Sequence, residues 1–339
     1  MSEAGNSKVC WVMRKPRSLG NFSIETSYRT MHAAWPANSP APDIHVASRF
    51  TAGFSDRLHI RNEVRDLPHP LIHITGDIHF AAIGRRRGTT VLTIHDLGML
   101  DEGNTLARWV KRKFWLDWPL LSCDRLIAVS QRTKDDILER TRYPADRISV
   151  IPSVISPTFH ARPSEPDHDI PRILHIGLAD NKNLDRHAAA LSGMDVHLRI
   201  IGEPSMEQHA MLKNQGISYS HASKLSEAEI QTEYELADLL LFCSTLEGYG
   251  MPIIEAQTVG VPVVTSRRAP MDQTSGGGAL LADPTDVADI RLAVERGLNN
   301  LELRRELITK GRANAERCSA AASARKHEAL YAELLQEAR

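Results

Sequence analysis

A chain of 339 residues, 42% hydrophobic and 24% charged, is too long for one typical core and has the composition of a soluble globular protein of two domains. No run approaches the roughly 18 apolar residues of a membrane span, and Cys10, Cys123, Cys243 and Cys318 lack the CxxC spacing of a zinc or disulfide framework, which fits a reducing cytoplasm. The net charge of −1 hides an asymmetry: residues 1–163 carry 23 Lys+Arg against 16 Asp+Glu, a net of +7, and the rest carry 18 against 26, a net of −8.

The N-terminus, Met-Ser-Glu-Ala-Gly-Asn-Ser-Lys, has no apolar stretch, so no signal peptide is expected. Strand and helix patterns then alternate, which argues an α/β fold with mostly parallel sheets. Residues 9–13, 43–47 and 71–75 read as strands, and 90–94 as a fourth that leads at once into His95-Asp96-Leu97. Residues 126–129 end at Ser130, an N-cap for a helix over 131–140, and 148–152 close the first half. Pro157, Pro163, Pro166 and Pro171 mark 156–171 as an interdomain linker. A second series of strands is expected over 173–177, 196–202, 216–219, 239–243 and 261–265, and 297–339, rich in Ala, Glu, Leu and Arg, as helical.

The most informative stretch is 244–265, Ser-Thr-Leu-Glu-Gly-Tyr-Gly-Met-Pro-Ile-Ile-Glu-Ala-Gln-Thr-Val-Gly-Val-Pro-Val-Val-Thr. It follows a buried strand, and Pro252 opens a helix, where its missing N–H costs nothing. The amides of Gly248, Tyr249, Gly250 and Met251 would face one space, a ready anion site. Glu247 and Glu255 flank it, and carboxylates accept hydrogen bonds from hydroxyls. Phosphate donors between hydroxyl acceptors suit a nucleotide sugar. The plainer alternative is an ordinary strand–loop–helix with two surface glutamates.

These residues resemble the Glu-x7-Glu signature of the retaining glycosyltransferases of family four. The matching strings are Glu247-Gly-Tyr-Gly-Met-Pro252, Glu255-Ala256 and Gly260-Val-Pro-Val-Val264. The resemblance covers roughly residues 90–300 well and the first 80 poorly. It implies the GT-B architecture: two Rossmann-like domains facing each other across a cleft, an acceptor domain over 1–160 completed by a crossover helix within 318–339, and a donor domain over 170–317. Only Tyr331 stands as an aromatic in the expected crossover helix. By the same resemblance Lys182, in Gly177-Leu-Ala-Asp-Asn-Lys182, reaches the donor diphosphate, where a cation would neutralise leaving-group charge as a metal does elsewhere. Leu178 stands where many relatives have Arg, so Arg267 or Arg268 would complete the clamp. Glu247 would contact hydroxyls of the transferred sugar and Glu255 the ribose, while the loop 221–225, ending at Leu225, would pass the nucleobase. The implied partners are a nucleotide-diphosphate sugar and a saccharide or lipid-linked acceptor, with no catalytic metal and no nucleic acid.

In the first half the resemblance points His95 toward sugar and acceptor, and the alternative is a packed histidine that satisfies a carbonyl. Gly20 stands alone where relatives often carry a glycine pair on the acceptor side, and reads almost as well as a plain turn. His69, His73 and His79 raise a metal site, but no Cys joins them. Residues 85–87 and 108–118 are basic and aromatic, with Leu106, Val110, Phe114 and Trp118 on one helix face. That face either lies on an anionic membrane from the cytoplasmic side or packs on the core. The function implied is retaining sugar transfer in polysaccharide or glycolipid assembly. A phosphorylase, an epimerase or a non-catalytic nucleotide-binding protein would carry the same fold.

Overall fold

The computed structural model describes residues 7–16, 24–51, 53–85, 87–101, 103–166 and 168–337. Gly20 lies outside them. The chain forms two compact units, Met1–Val154 with Ala320–Arg339, and Ile155–Ser319. The division falls ahead of the proline-rich stretch that the sequence suggests as a linker. Ile155 and Phe159 are apolar and bury in the second unit's core, and the Arg162 guanidinium donates to the Ala237 carbonyl at 2.7 Å. The start of that stretch is therefore packed, not a tether.

The first unit holds a parallel sheet of β1 (Val9–Met13), β2 (Asp43–Val46), β3 (Leu71–Ile74), β4 (Thr89–Ile94), β5 (Arg125–Ala128) and β6 (Ile148–Val150), in the order 2-1-3-4-5-6. β1, β3 and β4 are buried along their whole length, which explains why they are mostly apolar or β-branched, and two polar residues within them, His73 and Thr93, bond to each other. Helix Ala320–Glu337 packs on this sheet. Its Tyr331 hydroxyl accepts from the Trp11 indole N–H at 2.8 Å and meets His73 Nδ1 at 2.5 Å, and His73 Nε2 meets the Thr93 hydroxyl at 2.7 Å. The one aromatic of that helix is thus the centre of a buried polar network.

The second unit holds β7 (Arg172–Ile176), β8 (His197–Ile201), β9 (Tyr219–Ala222), β10 (Leu239–Phe242), β11 (Val263–Ser266) and β12 (Leu280–Ala282), all parallel, in the order 12-11-10-7-8-9. β9 begins where the sequence pattern would end it. Gly216, at φ +68°, still belongs to the end of helix Met206–Asn214, so pairing starts only at Tyr219. Between β7 and β10 the connections run off in opposite directions along the sheet. The loops after these two strands therefore border a crevice at the carboxyl edge, where open α/β sheets bind ligands. Among the described residues no helix is long and apolar enough to cross a membrane.

Candidate active site

The loop after β7 and the loop after β10 are clasped together by an Asn-Lys-Asn triplet. Asn181 donates its side-chain amide to the Leu246 carbonyl at 2.8 Å, and its own carbonyl accepts from the Thr245 N–H at 2.8 Å. Asn183, buried and at φ +65°, donates to the carbonyls of Cys243 and Pro284 at 3.0 and 2.7 Å. Between them Lys182 is held toward the other loop, and its ammonium pairs with Glu247 at 2.5 Å. Both side chains of that pair are mostly buried, so solvent screens it little. Gly177 ends β7 at φ +87°, and a Cβ there would come within 3.1 Å of the Lys182 side chain. Glycine at this position keeps the lysine seated.

Under the lysine loop lie two buried histidines. The Gly177 carbonyl can only accept, so His175 Nε2–H donates to it at 2.8 Å. That leaves His175 Nδ1 to accept from His187 Nδ1–H at 2.9 Å. Burial pushes both below the usual histidine range, His175 to about 4, so both are neutral.

The second loop ends on Gly250, φ +93°, which precedes helix Met251–Val259. No side chain caps that helix start, which leaves its first turn open to an anion. Tyr249 points the other way. Its ring packs on the core, its hydroxyl meets Cys318 Sγ at 3.0 Å, and its carbonyl accepts from Thr274 Oγ1 at 2.7 Å. At the end of β10, Ser244 is buried with a hydroxyl that has no partner among the described residues.

Glu255 stands one helical turn further along, half-buried. Burial raises its carboxyl to about 7, against the opposing effect of the Tyr234 hydroxyl, which donates to it at 2.7 Å. Leu225, half-buried, follows Lys224 at φ +58° and precedes the N-cap Ser226. Of the two arginines that could complete a phosphate clamp, Arg268 reaches the Thr245 carbonyl at 3.2 Å, beside Lys182 and Glu247. Arg267 pairs with Asp289 instead. Leu178 packs against the apolar core.

In the first unit His95 follows β4 and donates Nε2–H to the Thr75 carbonyl at 3.0 Å. Burial lowers its pKa, and it borders a cavity of about 30 Å³ shared with Tyr28, Thr93 and His327. The carbonyl-satisfying contact foreseen as its plainer role is present. Close to the same carboxyl edge, Arg14 after β1 is bonded to Glu25 and, at 2.5 Å, to Asp77. Arg14, Glu25 and Asp77 escaped the sequence reading, as did Asn181, Asn183 and Tyr234. Asp77 lies 63 residues from Arg14 and the carbonyls to which the Asn181 and Asn183 side chains donate lie 60 or more away, while Glu25 and Tyr234 have nearer partners that no motif joins to them. His69, His73 and His79 bind different partners, Asp43, Tyr331 with Thr93, and the Trp115 carbonyl. Among the described residues no three His, Cys, Asp or Glu gather as metal ligands.

Comparison with known proteins bears on this arrangement. Residues 159–314 match the family described as glycosyl transferases group 1, and residues 18–159 that described as glycosyltransferase family 4. The serotype-specific mannosyltransferase WbdA of Escherichia coli is 24% identical over 79% of this chain and 34% of its own length. The O-antigen chain mannosyltransferase B of Escherichia coli is 25% identical over 68% of this chain and 66% of its own length. The chain thus spans about a third of the first relative and close to two thirds of the second. Among solved structures, a sucrose-phosphate synthase from Thermosynechococcus elongatus aligns with a TM-score of 0.75 at 17% identity, over 97% of this chain and 99% of that one. Anabaena HepE in complex with UDP and glucose aligns with a TM-score of 0.72 at 14% identity, over 96% and 99%. The chain belongs to the glycosyltransferases of the family-four type and has their GT-B fold.

Proposed function

We propose that the protein is a retaining glycosyltransferase that moves a hexose from a nucleotide-diphosphate sugar to an acceptor hydroxyl, on the cytoplasmic side, in polysaccharide or glycolipid assembly. The observation that carries the reading is the Lys182–Glu247 pair set beside the uncapped start of helix Met251–Val259, with Glu255 one turn on. Lys182 and the first-turn amides take the diphosphate, and Glu247 holds the lysine and accepts from sugar hydroxyls. Glu255 accepts from the ribose, and Leu225 with its loop borders the base. The bond from the anomeric carbon to the phosphate oxygen breaks as the acceptor oxygen attacks from the same face. The acceptor proton passes to the leaving phosphate oxygen, and configuration is kept. Positive charge that exists before the reaction and matches charge developing in the transition state is a large source of rate. Lys182 supplies it, so the reading calls for no metal. His95, neutral and near Arg14 and Asp77, is the acceptor-side candidate, with Gly20 on the same side by family resemblance.

The relatives named as mannosyltransferases make mannose the first sugar to test, and the UDP in the HepE complex makes uracil the first base to test. Lys182→Ala and Glu247→Ala are each expected to lower transfer by at least about a hundredfold, the scale of one lost transition-state charge contact. Their urea midpoints should move only modestly. Wild-type rates in both variants would sink the mechanism, and an inverted product anomer would sink the retaining assignment. A second reading, nucleotide binding without turnover, is favoured by Leu178, which replaces the usual arginine with a core-packed apolar side chain. It predicts tight nucleotide binding and no product.

A further inference from the structure

Helix Thr105–Arg112 continues through a wide turn, Lys113–Asp117, into Trp118–Leu120, and helix Thr105–Arg112 has no buried residue. Its apolar side chains face solvent. Leu106 is 70% exposed, Trp109 55%, and Leu121, just beyond, 83%. Phe54, 66% exposed, meets Phe114 edge-on, and Phe114 meets Trp118 in the same way, which extends the apolar patch. A core-facing helix would bury this stripe.

The cations lie along its margin. Arg108, Lys111, Arg112 and Lys113 fall within residues 105–116, a stretch with no Asp or Glu. Asp117, which follows the stretch, pairs with Arg112 and Lys113. The Arg108 side chain has no hydrogen bond or ion pair among the described residues, its backbone N–H donating to the Asn104 carbonyl. Beside the helix a cavity of about 200 Å³ is lined by Leu100, Arg108, Trp109, Arg112, Leu116 and Arg140, three guanidinium-bearing side chains and no carboxylate. A larger one, about 830 Å³, shares Arg112 and Arg140 and adds Arg142 and Arg147, with Asp117, Asp124 and Glu139 on its walls.

We infer that this face docks on an anionic lipid bilayer. Leu106, Trp109, Val110 and Leu121 would enter the headgroup–acyl boundary. Trp109 would sit at the depth where an amphipathic indole is favoured. Arg108 and the arginine-lined cavity would take lipid phosphates. Apolar insertion or charge alone gives weak attachment, and the two together give stable but reversible attachment. The inference stands apart from the transfer reading, because the residues in the donor site are not used.

The test is co-sedimentation of the full chain with vesicles of phosphatidylcholine alone or with phosphatidylglycerol added. Binding is expected only to the anionic vesicles, falling as salt rises, with a blue shift of tryptophan emission. Leu106→Asp combined with Trp109→Asp should abolish it. Arg108→Glu combined with Arg142→Glu should weaken it by about tenfold or more, since each cation near the surface contributes about a factor of five. Melting temperatures near wild type show that the variants fold. Three results would overturn the inference. One is no binding of folded wild type to anionic vesicles, and another is equal binding to both vesicle types. The third is a dimer in solution that Leu106→Asp disrupts.

Discussion

Asn183 holds a left-handed backbone, φ +65°, that costs most L residues about 1–2 kcal/mol, and its amide satisfies two buried carbonyls. Asn183→Ala should lose about 2–4 kcal/mol in urea denaturation, from the two bonds and the backbone strain together. Asn183→Gly should lose about 1 kcal/mol less, because glycine is at ease at that φ. Equal stability of Asn183→Ala and wild type would contradict the clasp. Lys182 and Glu247 were legible because each sits in a recognisable string. Asn183 was not, because its partners lie 60 and 101 residues away and its string offers no sign of them. Tyr234 escaped in the same way, although it stood within sight, as a core-type aromatic whose hydroxyl finds Glu255 only after folding.

Between loop and helix, Gly250 decides where the chain turns. Gly250→Ala would force a Cβ at φ +93° and to within 3.1 Å of the Ile253 side chain, at a cost of about 1–2 kcal/mol. A calorimetric titration should show weaker nucleotide binding as well, since the first-turn amides move with the loop. An unchanged affinity would remove those amides from the site. At this scale the strands were largely readable, because parallel strands buried on both faces leave short, mostly apolar runs. β12, three residues at the sheet edge, left too short a run, and Gly216 displaced β9. Helix Thr105–Arg112 shows a different limit. The spacing of Leu106, Val110 and Phe114 defines an apolar face, but periodicity does not say what covers it, and in the structure Phe114 meets Phe54 and Trp118 while Leu106 and Val110 stay exposed.

For the molecule as a whole, buried neutral histidines set the acid limit. His73 and His327 lie in the first unit and His175 and His187 in the second, all pushed below the ordinary value of 6.5 by burial, with His175 and His327 at about 4. Their folded pKa lies below the unfolded one, so the unfolded chain binds more protons between the two values. Stability is therefore complete above about pH 6.5 and falls as pH drops toward 4, by about 1.4 kcal/mol per pH unit for each such histidine. Urea midpoints measured across this window should decline steeply, and His175→Asn should flatten part of the slope. A flat profile would mean that these side chains are charged or exposed in the folded state. Burial of this kind is invisible in the sequence, where His73 and His175 look like polar breaks in strands. The two-unit division was visible in length and in the repeated strand series, and the family resemblance gave the return of the last helix, while the prolines mark a turn-rich segment without saying which core it joins.

The central claim is that the second unit binds a nucleoside diphosphate through Lys182, Glu247 and Glu255. The most direct measurement is thermal stabilisation by UDP, GDP, ADP and TDP in wild type and in Glu255→Ala, because a ligand that binds only the folded state must raise the melting temperature. The account predicts a clear rise with one of these nucleotides, lost in Glu255→Ala. No rise with any of them, in protein that melts cooperatively, would contradict it.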